Sequence, residues 1–174
     1  MKEIQRTLVL LKPDSVQRGI IGEVVSRFEK SGLKLVGMKM VSPSESHYHE
    51  HYEAIGSVIS RNGQKVFDGL MKYMTSGPVV AMVLEGIGAV ELVRKTAGIT
   101  EPHAAAPGTI RGDYAHMNYA HADELGISVA NVVHASGDED EAKLEVALWF
   151  KPEEMFDYQT VHEKFVSTRK GDIQ

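Results

Sequence analysis

Cysteine is absent from all 174 residues, which excludes a disulfide scaffold, a thiolate nucleophile and a cysteine-ligated metal. Long apolar runs are missing as well. Nothing approaches the roughly 18 continuous apolar residues of a membrane-crossing helix, and the opening MKEIQRTLVLLKPD is too polar for a signal peptide. The expectation is a cytoplasmic protein without a membrane partner. Positive charge is not in excess: 19 Lys and Arg stand against 24 Asp and Glu, a formal net charge of -5, which argues against nucleic-acid binding. The familiar phosphate loops are missing too. There is no GxxxxGK[ST], and Gly86-Ile87-Gly88 is followed by Glu91 where a dinucleotide fingerprint needs glycine. What is present, 43% hydrophobic and 25% charged residues without repeats or low-complexity tracts, describes an ordinary globular chain of one domain.

Hydrophobic periodicity predicts the order of elements. Thr7 to Leu11 reads as a strand stopped by Pro13, and Ile20 to Lys30 as a helix with Ile21, Val24, Val25 and Phe28 on one stripe. Leu33 to Val41 reads as a second strand, followed by helical stretches near 43–54 and 62–74. Pro78 to Leu84 is the most apolar strand candidate, and Ile87 to Ala97 a helix after it. Residues 98–113 have no periodicity and read as a long functional loop. An excursion over 114–128 precedes a last strand, Val129 to His134, and a helix from Asp138 to Phe150. This order predicts an α+β, ferredoxin-like fold: a four-stranded antiparallel sheet in βαββαβ order, covered by helices on one face. Periodicity alone leaves a parallel α/β sheet open.

One segment raises a chemical question: NVVHASGDEDEA (131–142) sets His134 between a β-branched run and small residues, then turns acidic. A lone histidine is most often structural, and the acidic run suits the positive end of a helix dipole. A neutral imidazole is nevertheless a competent nucleophile. Lys12, Arg94 and Arg111 are scattered cations that can hold a polyphosphate, the arginines through a bidentate fork. His47, His49 and His51 in HYHEH can suggest a metal, but a polar face of a surface helix explains them more simply. Arg111-Gly112-Asp113 spells an adhesion tripeptide with no extracellular setting to support it.

Taken together, LKPDSVQRG (11–19), KYMTSGPVVAMVLEG (72–86), PGTIRGD (107–113), NVVHASG (131–137) and ALWF (147–150) resemble the nucleoside diphosphate kinase family over nearly the whole chain. The resemblance implies a ping-pong reaction in which His134 takes the γ-phosphoryl group of a nucleoside triphosphate and passes it to a nucleoside diphosphate, maintaining nucleotide pools. It implies that Lys12 and Asn131 meet the ribose hydroxyls, with Lys12 also near the transferred phosphate. By the same resemblance Arg94, Thr100 and Arg111 look like the phosphate clamp, with Tyr52 beside His134. Ser136 and Glu145 fit the family's supporting pair behind the histidine. Mg2+ is implied as a passenger on the nucleotide, with no metal ligands from the protein. A homo-oligomer, tetramer or hexamer built from dimers, is implied too.

Several positions depart from the family pattern. The base commonly stacks on a phenylalanine, yet alignment back from FDGLMKYMTSGP places Val66 there, with Phe67 next to it, so base packing is expected at Val66 or Phe67. Of the basic residues near the phosphates, Arg61 and Lys65 are the candidates. Residues 1–174 read as a single nucleoside diphosphate kinase-like domain with insertions near 55–65 and 114–130 and an extended C-terminal segment, 150–174. A nucleotide-binding regulatory module with little turnover is the alternative from another class.

Overall fold

The apolar runs become four strands of one sheet: β1 (Ile4–Leu11), β2 (Lys34–Val41), β3 (Val79–Ile87) and the short β4 (Val133–Ala135). They lie in the order β2-β3-β1-β4, and every neighbouring pair is antiparallel. The computed structural model describes residues 4–166. The longer helices are α1 (Ile21–Lys30), α2 (Glu45–His49, continuing as a π-helical turn over Glu50–Ile55), α3 (Gln64–Met74), α4 (Ala89–Ala97), α5 (Tyr119–Leu125) and α6 (Glu139–Trp149). The β1-α1-β2 unit is split by β3, which slots between its two strands and gives the ferredoxin-like arrangement.

Helices cover both faces of the sheet, where one covered face was expected. Val9, Leu11, Val80, Met82 and Leu84 pack against α1 and α4 through Phe28 and Val93. Leu8, Leu10, Val79, Ala81 and Val83 pack on the other side against Tyr48, Phe67, Met74 and Trp149. The cause lies in the central strands. Successive side chains of a strand point to opposite faces, and neither LVLL (8–11) nor VVAMVL (79–84) has a polar position to turn towards water. Each such side chain is worth about 1.5–3 kcal/mol when buried, so both faces must be covered.

The connecting segments differ most from expectation. Residues 98–113 hold a 3-10 turn, Pro102–Ala104, and a short helix, Ile110–Tyr114, whose start is capped by the Thr109 side chain accepting from the Gly112 N–H. The excursion over 114–130 is built on α5, capped by Asn118 and ended by Gly126 in the left-handed conformation at φ 64. The acidic run begins α6: Asp138 is its N-cap and accepts from the N–H groups of Asp140 and Glu141, both at 2.9 Å. Residues 167–174 of the C-terminal segment lie outside the described residues. Its earlier part is tied to β2, with Lys34 donating to Asp157 at 2.9 Å and Tyr158 to the Leu35 carbonyl at 2.7 Å. Among the described residues no helix is long and apolar enough to cross a membrane.

Candidate active site

The strand predicted for 129–134 is cut short by a turn that shapes the site. Val132 has φ 70, a conformation that β-branched residues avoid and that costs on the order of 1–3 kcal/mol. Here the Val133 N–H donates to the Asn131 carbonyl at 2.8 Å, closing a γ-turn. Neighbouring groups hold the turn in place. The Val132 carbonyl accepts from the Lys12 N–H at 2.9 Å and from the Ser15 hydroxyl at 2.5 Å, while its N–H donates to Asp14 at 3.2 Å. The turn brings Asn131 and His134 to one cleft, and β4 resumes with His134 opposite Leu10 of β1.

Behind His134 stands a buried carboxylate. Glu145 reaches in from α6, and its Oε1 lies 2.9 Å from His134 Nε2. Its other oxygen accepts from the Ser136 hydroxyl at 2.5 Å, and Ser136 Oγ accepts from the Leu8 N–H at 3.2 Å. Glu145 therefore touches the imidazole, and Ser136 touches Glu145. Burial by itself pushes the Glu145 carboxyl up. The facing His134, with its charge and hydrogen bond, then His51 and the Ser136 hydroxyl outweigh burial and hold it at about 2. An ionised carboxylate only accepts, so in the neutral ring Nε2 carries the proton and Nδ1 the lone pair.

His51 was read as part of a polar surface face, and the structure corrects that reading. It is 1% exposed, and its ring meets that of His134 edge-on with centroids 4.6 Å apart. The Trp149 indole N–H donates to His51 Nδ1 at 3.2 Å. Burial first, and then the neighbouring His134, hold its pKa well below the ordinary histidine value, so His51 is neutral. His47 packs edge-on against Trp149, and only His49 stays exposed. The available signal was the spacing of Tyr48, His51 and Tyr52, one buried stripe at i, i+3 and i+4. Tyr52 is also buried, edge-on to His134 at 6.0 Å, and burial pushes its phenol well above its ordinary value.

In front of His134 opens a cleft of about 600 Å³. Lys12, Arg94, Thr100, Arg111, Asn131 and Val66 all line it. Phe67 does not: it is buried under α3 in the core, with His49 on its edge, and Val66 is 46% exposed on the cleft side. Adjacent residues on a helix point about 100° apart, and here that turn puts Val66 on the cleft side and Phe67 on the core side. Arg61 and Lys65 line it as well. Lys12 donates to Asn131 Oδ1 at 2.7 Å, and the Asn131 amide donates to the Thr100 carbonyl at 2.9 Å. Burial, and then repulsion from Arg111, lower the Lys12 pKa to about 7.

Arg111 both builds the cleft and charges it. Its Nε donates to the Asn131 carbonyl at 3.2 Å, Nη1 to Gly98 at 2.6 Å and Nη2 to Val133 at 2.7 Å, joining three separate segments. A guanidinium has five N–H donors, which leaves two beyond those bonds. Burial and then Arg94 lower its pKa to about 10. It stays charged at neutral pH. Cations, a fixed imidazole lone pair and a buried carboxylate behind it make a site suited to accepting a phosphoryl group.

Residues missed by sequence reasoning include His51, Asp14 and Tyr119. Asp14 holds the Val132 N–H and the Tyr73 hydroxyl, the latter at 2.5 Å, and Tyr119 of α5 lines the cleft. Asp14 sits inside the segment LKPDSVQRG, but nothing local shows that it acts on Val132 and Tyr73, and Tyr119 has no local signature at all.

Comparison with known proteins identifies the family. Residues 5–155 match the family described as nucleoside diphosphate kinase. The chain is 47% identical over 174 residues to a nucleoside diphosphate kinase of Pyrococcus furiosus, covering 98% of each chain. Among solved structures it is similar to a transition-state mimic of the Borrelia burgdorferi nucleoside-diphosphate kinase with bound vanadate and ADP. The TM-score there is 0.91 at 42% identity, covering 94% of this chain and 97% of that one. A halophilic nucleoside diphosphate kinase from Halobacterium salinarum, in complex with CDP, gives a TM-score of 0.79 at 41% identity, covering 94% and 98%.

Proposed function

The chain belongs to the nucleoside diphosphate kinase family, and we propose that its cleft performs the phosphoryl exchange of that family through His134. The observation that carries this reading is the His134–Glu145 contact at 2.9 Å, which assigns the proton to Nε2 and the lone pair to Nδ1 beside a cation-lined cleft. In the first step Nδ1 attacks the γ-phosphorus of a nucleoside triphosphate. An N–P bond forms, the bond to the bridging oxygen breaks, and the electron pair leaves with the diphosphate. In the second step a terminal oxygen of another nucleoside diphosphate attacks the phosphohistidine and restores the imidazole. The Nε2 proton remains on the ring throughout, so Glu145 faces the positive charge that phosphorylation places there.

The clamp supplies the rest of the chemistry. Phosphoryl transfer spreads charge over equatorial oxygens, so catalysis is chiefly positioning and electrostatics. Arg94, Thr100 and Arg111 hold phosphates, Lys12 and Asn131 hold the sugar and the near phosphate, and Val66 packs against the base. Because these groups address phosphate and sugar, purine and pyrimidine nucleotides, ribo and deoxy, serve alike. Among the described residues the one metal-ligating cluster is His51, His134 and Glu145, and Glu145 is already committed to His134 and Ser136. Mg2+, which prefers six oxygen ligands, fits better on nucleotide phosphates and water, where it would neutralise the triphosphate. The enzyme would work in the cytoplasm as one domain elaborated at 55–65 and 114–130. Exposed Met38 and Met40 on β2 support a homo-oligomer, a tetramer or hexamer of dimers.

Labelling with γ-labelled ATP tests the proposal. An acid-labile, alkali-stable label should appear, be chased by GDP, and be absent from His134→Ala. Label that persists in that variant, or none on the native chain, sinks the mechanism. Light scattering on the same sample reads the assembly, and a monomer at micromolar concentration removes the oligomer reading.

Lys12 gives a pH prediction. In the empty site its pKa is about 7, and bound phosphates raise it. The charged form binds the anion better, so affinity is highest below pH 7 and falls as pH rises from 7 towards the bound-state pKa, by up to about tenfold per unit. Calorimetry of ADP binding at pH 8 in buffers of different ionisation heat should register net proton uptake. Lys12→Met should abolish that uptake, and an unchanged value in this variant would refute the assignment.

A further inference from the structure

The inserted helix α5 brings a hydroxyl to the phosphate side of the cleft. Tyr119 is its first residue, fixed by the Asn118 cap. The Tyr119 N–H donates to the Glu101 carboxylate at 2.9 Å, and the His103 N–H donates to the Met117 carbonyl at 3.1 Å. The start of α5 is thus bound at two points to the loop that presents Thr100. Its ring is 46% exposed and lines the same cleft as His134 and Asn131. Thr100 and Arg111 line that cleft with it, and both lie near enough to the phenol to lower its pKa. A tyrosine on an ordinary surface helix has water as its partner. This one is held by its backbone beside two residues of the phosphate clamp.

We propose that Tyr119 is a substrate-binding residue whose hydroxyl donates a hydrogen bond to a phosphate oxygen of the bound nucleotide, next to Thr100 and Arg111. The inference rests on the reading of those two residues as phosphate ligands. Partial burial, and then the Glu101 carboxylate, raise the phenol pKa, so the hydroxyl keeps its proton and is a donor at neutral pH. The contact is made to phosphate and not to the base, so it is indifferent to the nucleoside. It also assigns a purpose to the insertion: α5 adds a second neutral donor, beside Thr100, to a clamp whose other members are cations.

Tyr119→Phe removes the hydroxyl and keeps the ring. The expected result is a rise of about three- to tenfold in KM and in Kd, the worth of one hydrogen bond to a charged acceptor at a half-exposed site, equal for ADP, GDP and CDP. With binding to ground and transition states weakened alike, kcat should change less than twofold. The thermal midpoint should not move, whereas a residue that only packs α5 would respond to Tyr119→Ala in stability and not to Tyr119→Phe in KM. Unchanged KM and Kd in Tyr119→Phe, or a loss that depends on the base, overturns the inference while His134 labelling continues. Absence of His134 labelling in both native chain and variant overturns the parent reading, and this inference with it.

Discussion

Glu145→Gln should slow phosphoryl transfer by about 10- to 10⁴-fold while leaving nucleotide affinity nearly unchanged. Two donors converge on this carboxylate, His134 Nε2–H at 2.9 Å and the Ser136 hydroxyl at 2.5 Å. A glutamine amide has one acceptor oxygen, so it can satisfy only one of them fully. When its NH2 group faces the imidazole, Nε2 becomes the acceptor, the proton moves to Nδ1, and the attacking lone pair is lost. When its oxygen faces the ring, the negative charge opposite the phosphoimidazolium is still missing. Orienting partners of this kind are worth about 10–100-fold, and a wrong tautomer in a Ser-His-Asp triad about 10⁴-fold. Single-turnover labelling of His134 measures the effect separately from product release. A variant that phosphorylates at the native rate would show that the carboxylate does not set the tautomer.

The same carboxylate has a stability signature. Its pKa in the folded chain, about 2, lies below the ordinary value of 4.5. A depressed carboxylate contributes stability that is present above pH 4.5 and is lost as pH falls from there towards 2. The native chain should therefore lose stability relative to Glu145→Gln over that window.

Arg111→Lys should damage folding and activity together. Lysine keeps the charge but replaces a planar fork by one ammonium on a flexible stem. It cannot reach the carbonyls of Gly98, Asn131 and Val133, which Arg111 bonds at 2.6, 3.2 and 2.7 Å. Each buried carbonyl left without a partner costs about 1–3 kcal/mol, partly relieved by water at the cleft, so a net loss of about 2–4 kcal/mol is expected. The two N–H donors left beyond those bonds, on a residue that lines the cleft, are lost as well, for an expected fall of roughly 10²–10³ in kcat/KM. Denaturant unfolding without nucleotide and steady-state kinetics read the two effects. If stability falls and kcat/KM, corrected for the folded fraction, does not, Arg111 is structural only. In contrast with Glu145→Gln, the affinity for nucleotide should drop here.

Much of the fold was legible because the signals were local. Alternation and apolar runs located the sheet, and the Asp138 cap with its acidic first turn was readable as the start of α6. The covering of the second face was readable in principle from LVLL and VVAMVL, whose lack of any polar alternation leaves no wet face. The last strand was not readable. Val129 to His134 carries β-branched Val129, Val132 and Val133, and the Val132-Val133 pair favours extension, but Asp14, Ser15 and the Lys12 backbone bend the chain at Val132.

The amino-acid sequence by itself determined the order of elements, the family, and the residues proposed to carry the charge and the nucleophile: Lys12, Arg94, Arg111 and His134 are recognisable because their segments are. Tertiary structure alone decided which partners those residues meet. It placed Glu145 against the imidazole and Ser136 behind Glu145, turned Val66 to the cleft and Phe67 to the core, buried His51 on Trp149, and brought Tyr119 of the insertion to Thr100 and Arg111. The reason is physical. Periodicity reports which side of an element faces the core, whereas tautomer, charge state and hydrogen-bond partner depend on atoms many residues away that only the packed chain brings within 3 Å.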